Sequence, residues 1–119
     1  MHFLLMYEFG EDYLERRVPL RNAHLGLAWQ AHERGDLVLA GALAEPVDSS
    51  VFFFQGSGPE AARAFALSDP YVLNGLVKKW SVRPWTTVVG DGASSPIRPE
   101  GGRAAAARSQ GRSPSTTAG

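Results

Sequence analysis

The sequence predicts an α+β fold with the element order β-α-β-β-α-β, a four-stranded antiparallel sheet carrying two helices on one face. Three observations lead there. The chain has 119 residues, room for one domain with one hydrophobic core. All twelve aromatic residues lie between Phe3 and Trp85, so the core is confined to the first three-quarters of the chain. Within that part, short runs rich in β-branched and aromatic residues alternate with two stretches of helical periodicity.

His2-Phe3-Leu4-Leu5-Met6-Tyr7-Glu8 favours a strand, and Phe9-Gly10 ends it. Asp12 to Arg34 has helical periodicity interrupted by Pro19. A loop or short turn is expected to about Arg17, then a main helix from Val18 to Arg34 with Pro19 in its first turn. Leu20, His24, Leu27, Ala28 and Ala31 form one stripe of that helix, and Gly35 closes it. Leu37 to Leu43 is the second strand, Glu45 to Ser50 a turn, and Val51 to Gln55 a third strand paired with the second. Pro59 suits the first position of a second helix, whose apolar face is Ala61, Ala62, Phe65 and Ala66. Ser68-Asp69-Pro70 breaks it, Tyr71 to Leu76 reads as one further helical turn, and Val77 to Trp85 is the last strand. This order is the ferredoxin-like split βαβ arrangement.

Composition removes several functional classes. Twelve basic residues offset twelve acidic ones, leaving no global field to hold nucleic acid or an anionic membrane. There is no cysteine, hence no disulfide, thiolate zinc site, iron–sulfur cluster or cysteine nucleophile. The apolar runs Phe3 to Tyr7 and Leu37 to Leu43 are too short to span a bilayer. The N-terminus lacks the basic and small-residue pattern of a signal peptide, and a cytoplasmic protein is expected. From Gly90 onward the residues are mainly Gly, Ala, Ser, Pro and Arg, with Ile97 the only large aliphatic side chain. Such a segment cannot bury enough surface to offset its ordering entropy. The expected organisation is therefore a folded domain over 1–89 and a disordered tail over 90–119.

The strands also speak to assembly. A sheet covered by helices on one face should alternate apolar with polar residues. Here Phe3, Leu5 and Tyr7 stand against Leu4 and Met6, and Val51 and Phe53 against Phe52 and Phe54. The second apolar face needs cover that two helices cannot supply. The expected cover is the same face of a second copy, making a homodimer packed sheet to sheet.

Among chemistry-bearing residues, His2 and His32 read as surface groups, His32 suiting the dipole at a helix end. His24 differs because it lies on the apolar stripe, where a histidine is either a hydrogen-bonded core residue or a functional one. His24 and His32 are out of line on the helix with no Glu between them at ligand spacing, so no metal site is expected. Asp69 before Pro70 has the form of a helix N-cap, but a carboxylate has acceptor sites to spare for a second role. Arg21, one turn before His24, is either solvated or anion-binding. Tyr71 and Trp85 either pack or line a cavity. Gly41 within a strand marks a close backbone approach or open space above the sheet. Gly56-Ser57-Gly58 lacks the surroundings of a phosphate loop and reads as a helix entry.

Taken together, Arg21-Asn22-Ala23-His24-Leu25-Gly26-Leu27, Gly35-Asp36-Leu37-Val38-Leu39-Ala40-Gly41, Glu60-Ala61-Ala62, Asp69-Pro70-Tyr71-Val72 and Arg83-Pro84-Trp85 form a recognisable series. The chain resembles the YCII-related family of the dimeric α+β barrel superfamily over about residues 2–87. The resemblance implies a ferredoxin-like protomer and a sheet-to-sheet dimer. It implies an active-site pair at His24 and Asp69, with Arg21 and Gly41 also matching family positions. Where the family commonly has Gly-Pro, this sequence reads Gly41-Ala42, so a differently shaped loop above the site is expected.

A His–Asp pair without a nucleophile, metal or flavin motif suits cofactor-free proton transfer. Asp69 holds one imidazole nitrogen and the other moves a proton on substrate. The expected function is elimination, dehydration or isomerisation of a small organic molecule, with His24 and Asp69 catalytic and Arg21, Gly41, Tyr71 and Trp85 binding substrate. Two other readings stay open: a non-catalytic small-molecule-binding or structural dimer, and a cofactor-free oxygenase of an aromatic, the latter by fold analogy alone.

Overall fold

The computed structural model describes residues 1–100. Its elements are β1 (His2–Phe9), α1 (Tyr13–Arg16), α2 (Arg21–Glu33), β2 (Leu37–Ala42), β3 (Ser49–Gln55), α3 (Glu60–Ser68), α4 (Pro70–Leu73) and β4 (Val77–Trp85). The strands form one four-stranded antiparallel sheet in the order β2-β3-β1-β4, the ferredoxin-like topology. β2 is therefore an edge strand.

Alternation fixes the two faces of the sheet. Phe3, Leu5, Tyr7 and Phe9 of β1 and Ser50, Phe52 and Phe54 of β3 are buried on one face. Ala31 of α2, Ala62, Phe65 and Ala66 of α3, and Tyr71 of α4 complete the same core. On the opposite face Leu4, Val51 and Phe53 are half-buried and Met6 is exposed. Two apolar faces on one sheet are thus present, as the strand composition predicts.

The main helix starts later than expected, at Arg21 rather than Val18. Arg16 and Arg17 donate their N–H groups to the carbonyls of Asp12 and Tyr13, closing the separate turn α1. Leu20 then donates to Arg17, and the ladder of α2 begins with His24 donating to Leu20. Pro19, with no N–H to contribute, sits in the connection and not in the helix. The helix ends as expected. Gly35 has φ +87° and donates to the His32 carbonyl, and Asp36 donates to that of Ala31, a glycine-closed terminus in which both orphan carbonyls are satisfied.

β2 and β3 pair antiparallel with a register shift between Leu37 and Leu39. Beyond the shift Leu39 faces Phe53, Ala40 faces Phe52, Gly41 faces Val51 and Ala42 faces Ser50. Directly opposed residues share a face. Ala40 and Ala42 therefore lie on the helix-covered side, and Leu39 and Gly41 on the other. β3 begins at Ser49, two residues before the expected Val51, because Leu43 donates to the Ser49 carbonyl and lengthens the hairpin.

The described residues divide into two compact units, Met1 with Phe3–Pro84, and His2 with residues 85–100. In the second unit Ser95 donates to the Thr87 carbonyl, Ile97 to that of Val88, and the Ser94 N–H to Thr87 Oγ1. Hydrogen bonding thus continues through the first residues of the segment expected to be a tail. Residues 101–119, the greater part of that expectation, lie outside the described residues. Among the described residues no helix is long and apolar enough to cross a membrane.

Candidate active site

Small side chains make the site. Ala40 and Ala42 on β2 leave space beneath α2, and Leu25, Ala28 and Trp29 form the wall above it. The result is a cavity of about 310 Å³ within the first unit, floored by Ser50 and Phe52 and bounded by Tyr13, Arg17, Arg21, His24, His32 and Tyr71. Among the described residues no Asp or Glu lines it. A Cβ added to Gly41 meets nothing within 4 Å, so of the two readings of this glycine, open space is the one observed. Gly41 and Ala42 both belong to β2, so the Gly41-Ala42 departure falls in a strand and not in a loop. Filling the space from the helix-covered side should close it. Ala42→Leu is expected to abolish small-molecule binding, whereas Gly41→Ala, on the other face, should leave it within about twofold. Ligand titration by calorimetry of the two variants checks this.

His24 is brought to the cavity by the apolar stripe of α2. Its ring lies parallel to that of Tyr71, with centroids 3.9 Å apart and planes 8° apart, and meets Phe52 and Phe65 edge-on at 6.1 and 6.2 Å. Its Nδ1 is 2.9 Å from both carboxylate oxygens of Asp69. A carboxylate accepts, so Nδ1 carries the proton and Nε2 is the nitrogen left for the cavity.

Asp69 itself is fully buried, behind the histidine and not among the lining residues. Its capping role is present: it precedes Pro70 at the head of α4 and accepts from the Tyr71 N–H at 3.1 Å. It also accepts from the Tyr7 hydroxyl at 2.7 Å. Three donors from three elements therefore converge on one carboxylate, the condition under which a buried acid is tolerated. Cap and histidine partner are the same residue.

Burial, then the neighbouring Asp69 charge, pushes the Tyr7 phenol far above its ordinary 10.0, so Tyr7 is a permanent donor. Burial likewise pushes Tyr71 up to about 12. The sign of the linkage follows. Below about pH 10 both states keep these protons; above it the unfolded chain loses them first, so stability falls as pH rises. The Tyr71 contribution is lost by about pH 12. The urea midpoint should therefore drop between about pH 10 and 12, and drop less in Tyr7→Phe. Equal slopes in the two proteins would contradict the assignment.

Two arginines stand at one end of the cavity. Arg17 donates to the Tyr13 hydroxyl at 3.2 Å and lies 5.2 Å over the Tyr13 ring. Both guanidiniums are close enough to Tyr71 to act on its phenol electrostatically. Neither Arg17 nor Arg21 is ion-paired with a carboxylate among the described residues. The start of α2 also has no side-chain cap and no acidic residue in its first turn. A cation at a helix N-terminus is electrostatically unfavourable, so this end of the cavity is short of negative charge.

Of the residues singled out from sequence, Arg21, His24, Gly41 and Tyr71 line one cavity, and Asp69 is bonded to His24. Trp85, exposed at the end of β4, is not among the lining residues. Sequence reasoning missed Tyr7, whose partner lies 62 residues away, and Ala40 and Ala42. His32 is exposed, as expected of a surface group, and its place at the rim of the cavity is what sequence reasoning did not include. No group of three metal-ligating side chains occurs among the described residues.

Fold and cavity together define a small α+β protein with a small-molecule-sized site built between a helix and an edge strand. The chain belongs to the YCII-related family: residues 1–86 match the YCII-related domain. Protein YciI of Escherichia coli O6:H1 and Protein YciI of Shigella flexneri are each 33% identical over 97 residues, covering 74% of this chain and 99% of the relative. Among solved structures, 5-chloro-2-hydroxyhydroquinone dehydrochlorinase (TftG) from Burkholderia phenoliruptrix AC1100, in complex with 2,5-dihydroxybenzoquinone, shares the fold with a TM-score of 0.62. It is 18% identical, over 73% of this chain and 95% of that one.

Proposed function

We propose that the protein is a cofactor-independent enzyme in which His24 and Asp69 perform general acid–base chemistry on a small organic molecule, as an elimination, dehydration or isomerisation. The observation that carries this is the anchored imidazole: Nδ1 held by a fully buried carboxylate, Nε2 left to a cavity. In this reading Nε2 removes a proton from the substrate, and either a leaving group departs with its electron pair or a double bond shifts. The imidazolium then gives its proton to the leaving group or solvent in the first case and to a different substrate carbon in the second. Asp69 stabilises the transient cation and fixes the tautomer. Arg21 holds an anionic substituent, the Tyr71 ring fixes the imidazole plane, and the backbone at Gly41 borders the bound molecule. TftG, a dehydrochlorinase of the same fold, offers a substrate class to begin with, the halogenated hydroxyhydroquinones.

The test is turnover of a panel of hydroxy-aromatic and small carboxylic compounds, chlorinated hydroxyhydroquinones included, followed by absorbance and by chloride release. Consumption by the native protein and not by a folded His24→Gln variant supports the reading. Equal consumption by both contradicts it. A second reading is favoured by the Asp69–Tyr71 cap, which has a structural use without catalysis. It predicts that Asp69 variants lose stability while the native protein consumes no member of the panel.

The same proposal includes a homodimer. Leu4, Met6, Val51 and Phe53 leave an apolar face opposite the helices, and a second copy of that face is its natural cover. Sedimentation equilibrium should give twice the chain mass of 12.8 kDa, and Met6→Lys with Val51→Lys should give the single mass.

A further inference from the structure

The cavity has a second polar end that the His24–Asp69 pair does not use. His32 lies at the last turn of α2, and its Nδ1 is 2.8 Å from the backbone carbonyl of Leu37. A carbonyl can only accept, so in the neutral ring Nδ1 carries the proton and Nε2 is a lone-pair acceptor. Trp29 meets the ring edge-on at 5.4 Å, with planes 88° apart, and both residues line the cavity. The imidazole is thus fastened at one nitrogen and touched on one side by Trp29, although His32 is exposed, unlike His24. A surface histidine placed only to complement the helix dipole needs neither contact.

The two ends differ in chemistry. Arg17, just after α1, and Arg21, at the start of α2, supply two cations with no carboxylate partner among the described residues. His32 supplies an imidazole Nε2 eleven residues after Arg21, about 16 Å along the helix axis. Between them, beside His24 and Ser50, the lining is mostly apolar: Leu25, Ala28 and Trp29 from α2, and Ala40 with Phe52 from the sheet. A single-ring acid anchored at the arginines cannot also reach the far end.

We propose that the cavity recognises an elongated organic anion, with its acidic group on Arg17 and Arg21 and a hydroxyl at the opposite end donating to His32 Nε2. This deepens the acid–base reading by naming its substrate class, and rests on that reading only for the claim that the bound molecule is a substrate. His32 is accordingly a specificity-determining residue.

The test uses two probe acids, 4′-hydroxybiphenyl-4-carboxylate and biphenyl-4-carboxylate, titrated into the native protein by calorimetry at neutral pH. The hydroxylated acid should bind roughly three- to tenfold more tightly, the net worth of one hydrogen bond. His32→Phe, which keeps an aromatic edge for Trp29 and removes both nitrogens, should equalise the two affinities and leave that of the unhydroxylated acid unchanged. His32→Leu serves if the Phe variant does not fold. Arg21→Gln should weaken both acids alike. Equal affinities in the native protein, no binding of either acid at millimolar concentration, or an equal weakening of both by His32→Phe would each overturn the proposal. His24→Gln should retain the discrimination, so failure of the acid–base reading shows in turnover and failure of this one in the probe ratio.

Discussion

Asp69→Ala should be the most destabilising single substitution in the domain, lowering the unfolding free energy by about 3–5 kcal/mol. The substitution removes the one acceptor shared by the Tyr7 hydroxyl, the Tyr71 N–H and His24 Nδ1. The Asp69 position is fully buried, so water cannot take over the lost bonds, and each orphaned donor costs about 1–3 kcal/mol. His24 is discounted within that sum because its side chain keeps 12% of its exposure and can find solvent. Against a total stability of about 5–15 kcal/mol for a domain, this approaches loss of the fold. Asp69→Asn retains an oxygen for the cap and should cost only about 1–2 kcal/mol. Tyr7→Phe, which removes one donor and leaves the carboxylate two others, should fall in the same lower range. Urea unfolding at neutral pH separates these cases. An Asp69→Ala variant within 1 kcal/mol of the native protein would contradict the three-donor account.

His24→Gln should cut turnover about 10²- to 10⁴-fold, the usual worth of a positioned general acid or base. Glutamine is the informative replacement because its amide can still donate to Asp69 while offering no group that exchanges a proton near neutrality. The fold should survive, with a urea midpoint near that of the native protein, so the activity loss is chemical. Arg21→Gln should behave differently, raising KM with little change in kcat, because it removes binding shared by ground state and transition state. Loss of kcat in Arg21→Gln and its retention in His24→Gln would invert the assigned roles.

The ease with which parts of this molecule are read from sequence follows physical lines. β4 is bounded as expected at Val77 and Trp85, and β1 is legible because every second residue is a large apolar one. His24 stands out because one polar group on an apolar stripe needs a reason, and Asp69 because Asp-Pro at a helix break is a local signal. What is not legible depends on contacts distant in the chain. Pro19 suggests an earlier start to α2, but hydrogen bonds from Arg16, Arg17 and Leu20 close a separate turn first. Tyr7 reads as one more core aromatic until Asp69 is placed against its hydroxyl. His32 is exposed, as a dipole-complementing surface group should be, but its hydrogen bond is not legible because the turn at Gly35 must first bring the Leu37 carbonyl to its Nδ1. Tyr13, Arg17 and Trp29 line the cavity with no local signal in the sequence, because only the three-dimensional arrangement brings them to it.

The acid–base account depends on which nitrogen of His24 carries the proton, and long-range ¹H–¹⁵N correlation NMR of the imidazole reads this directly. With Asp69 accepting at Nδ1, the neutral ring should be the Nδ1–H tautomer, with an unprotonated Nε2 turned to the cavity, and Asp69→Asn should disturb that preference. An Nε2–H tautomer in the native protein would mean that the nitrogen offered to a substrate is already protonated and that Asp69 does not orient the ring, and the dyad would have to be abandoned.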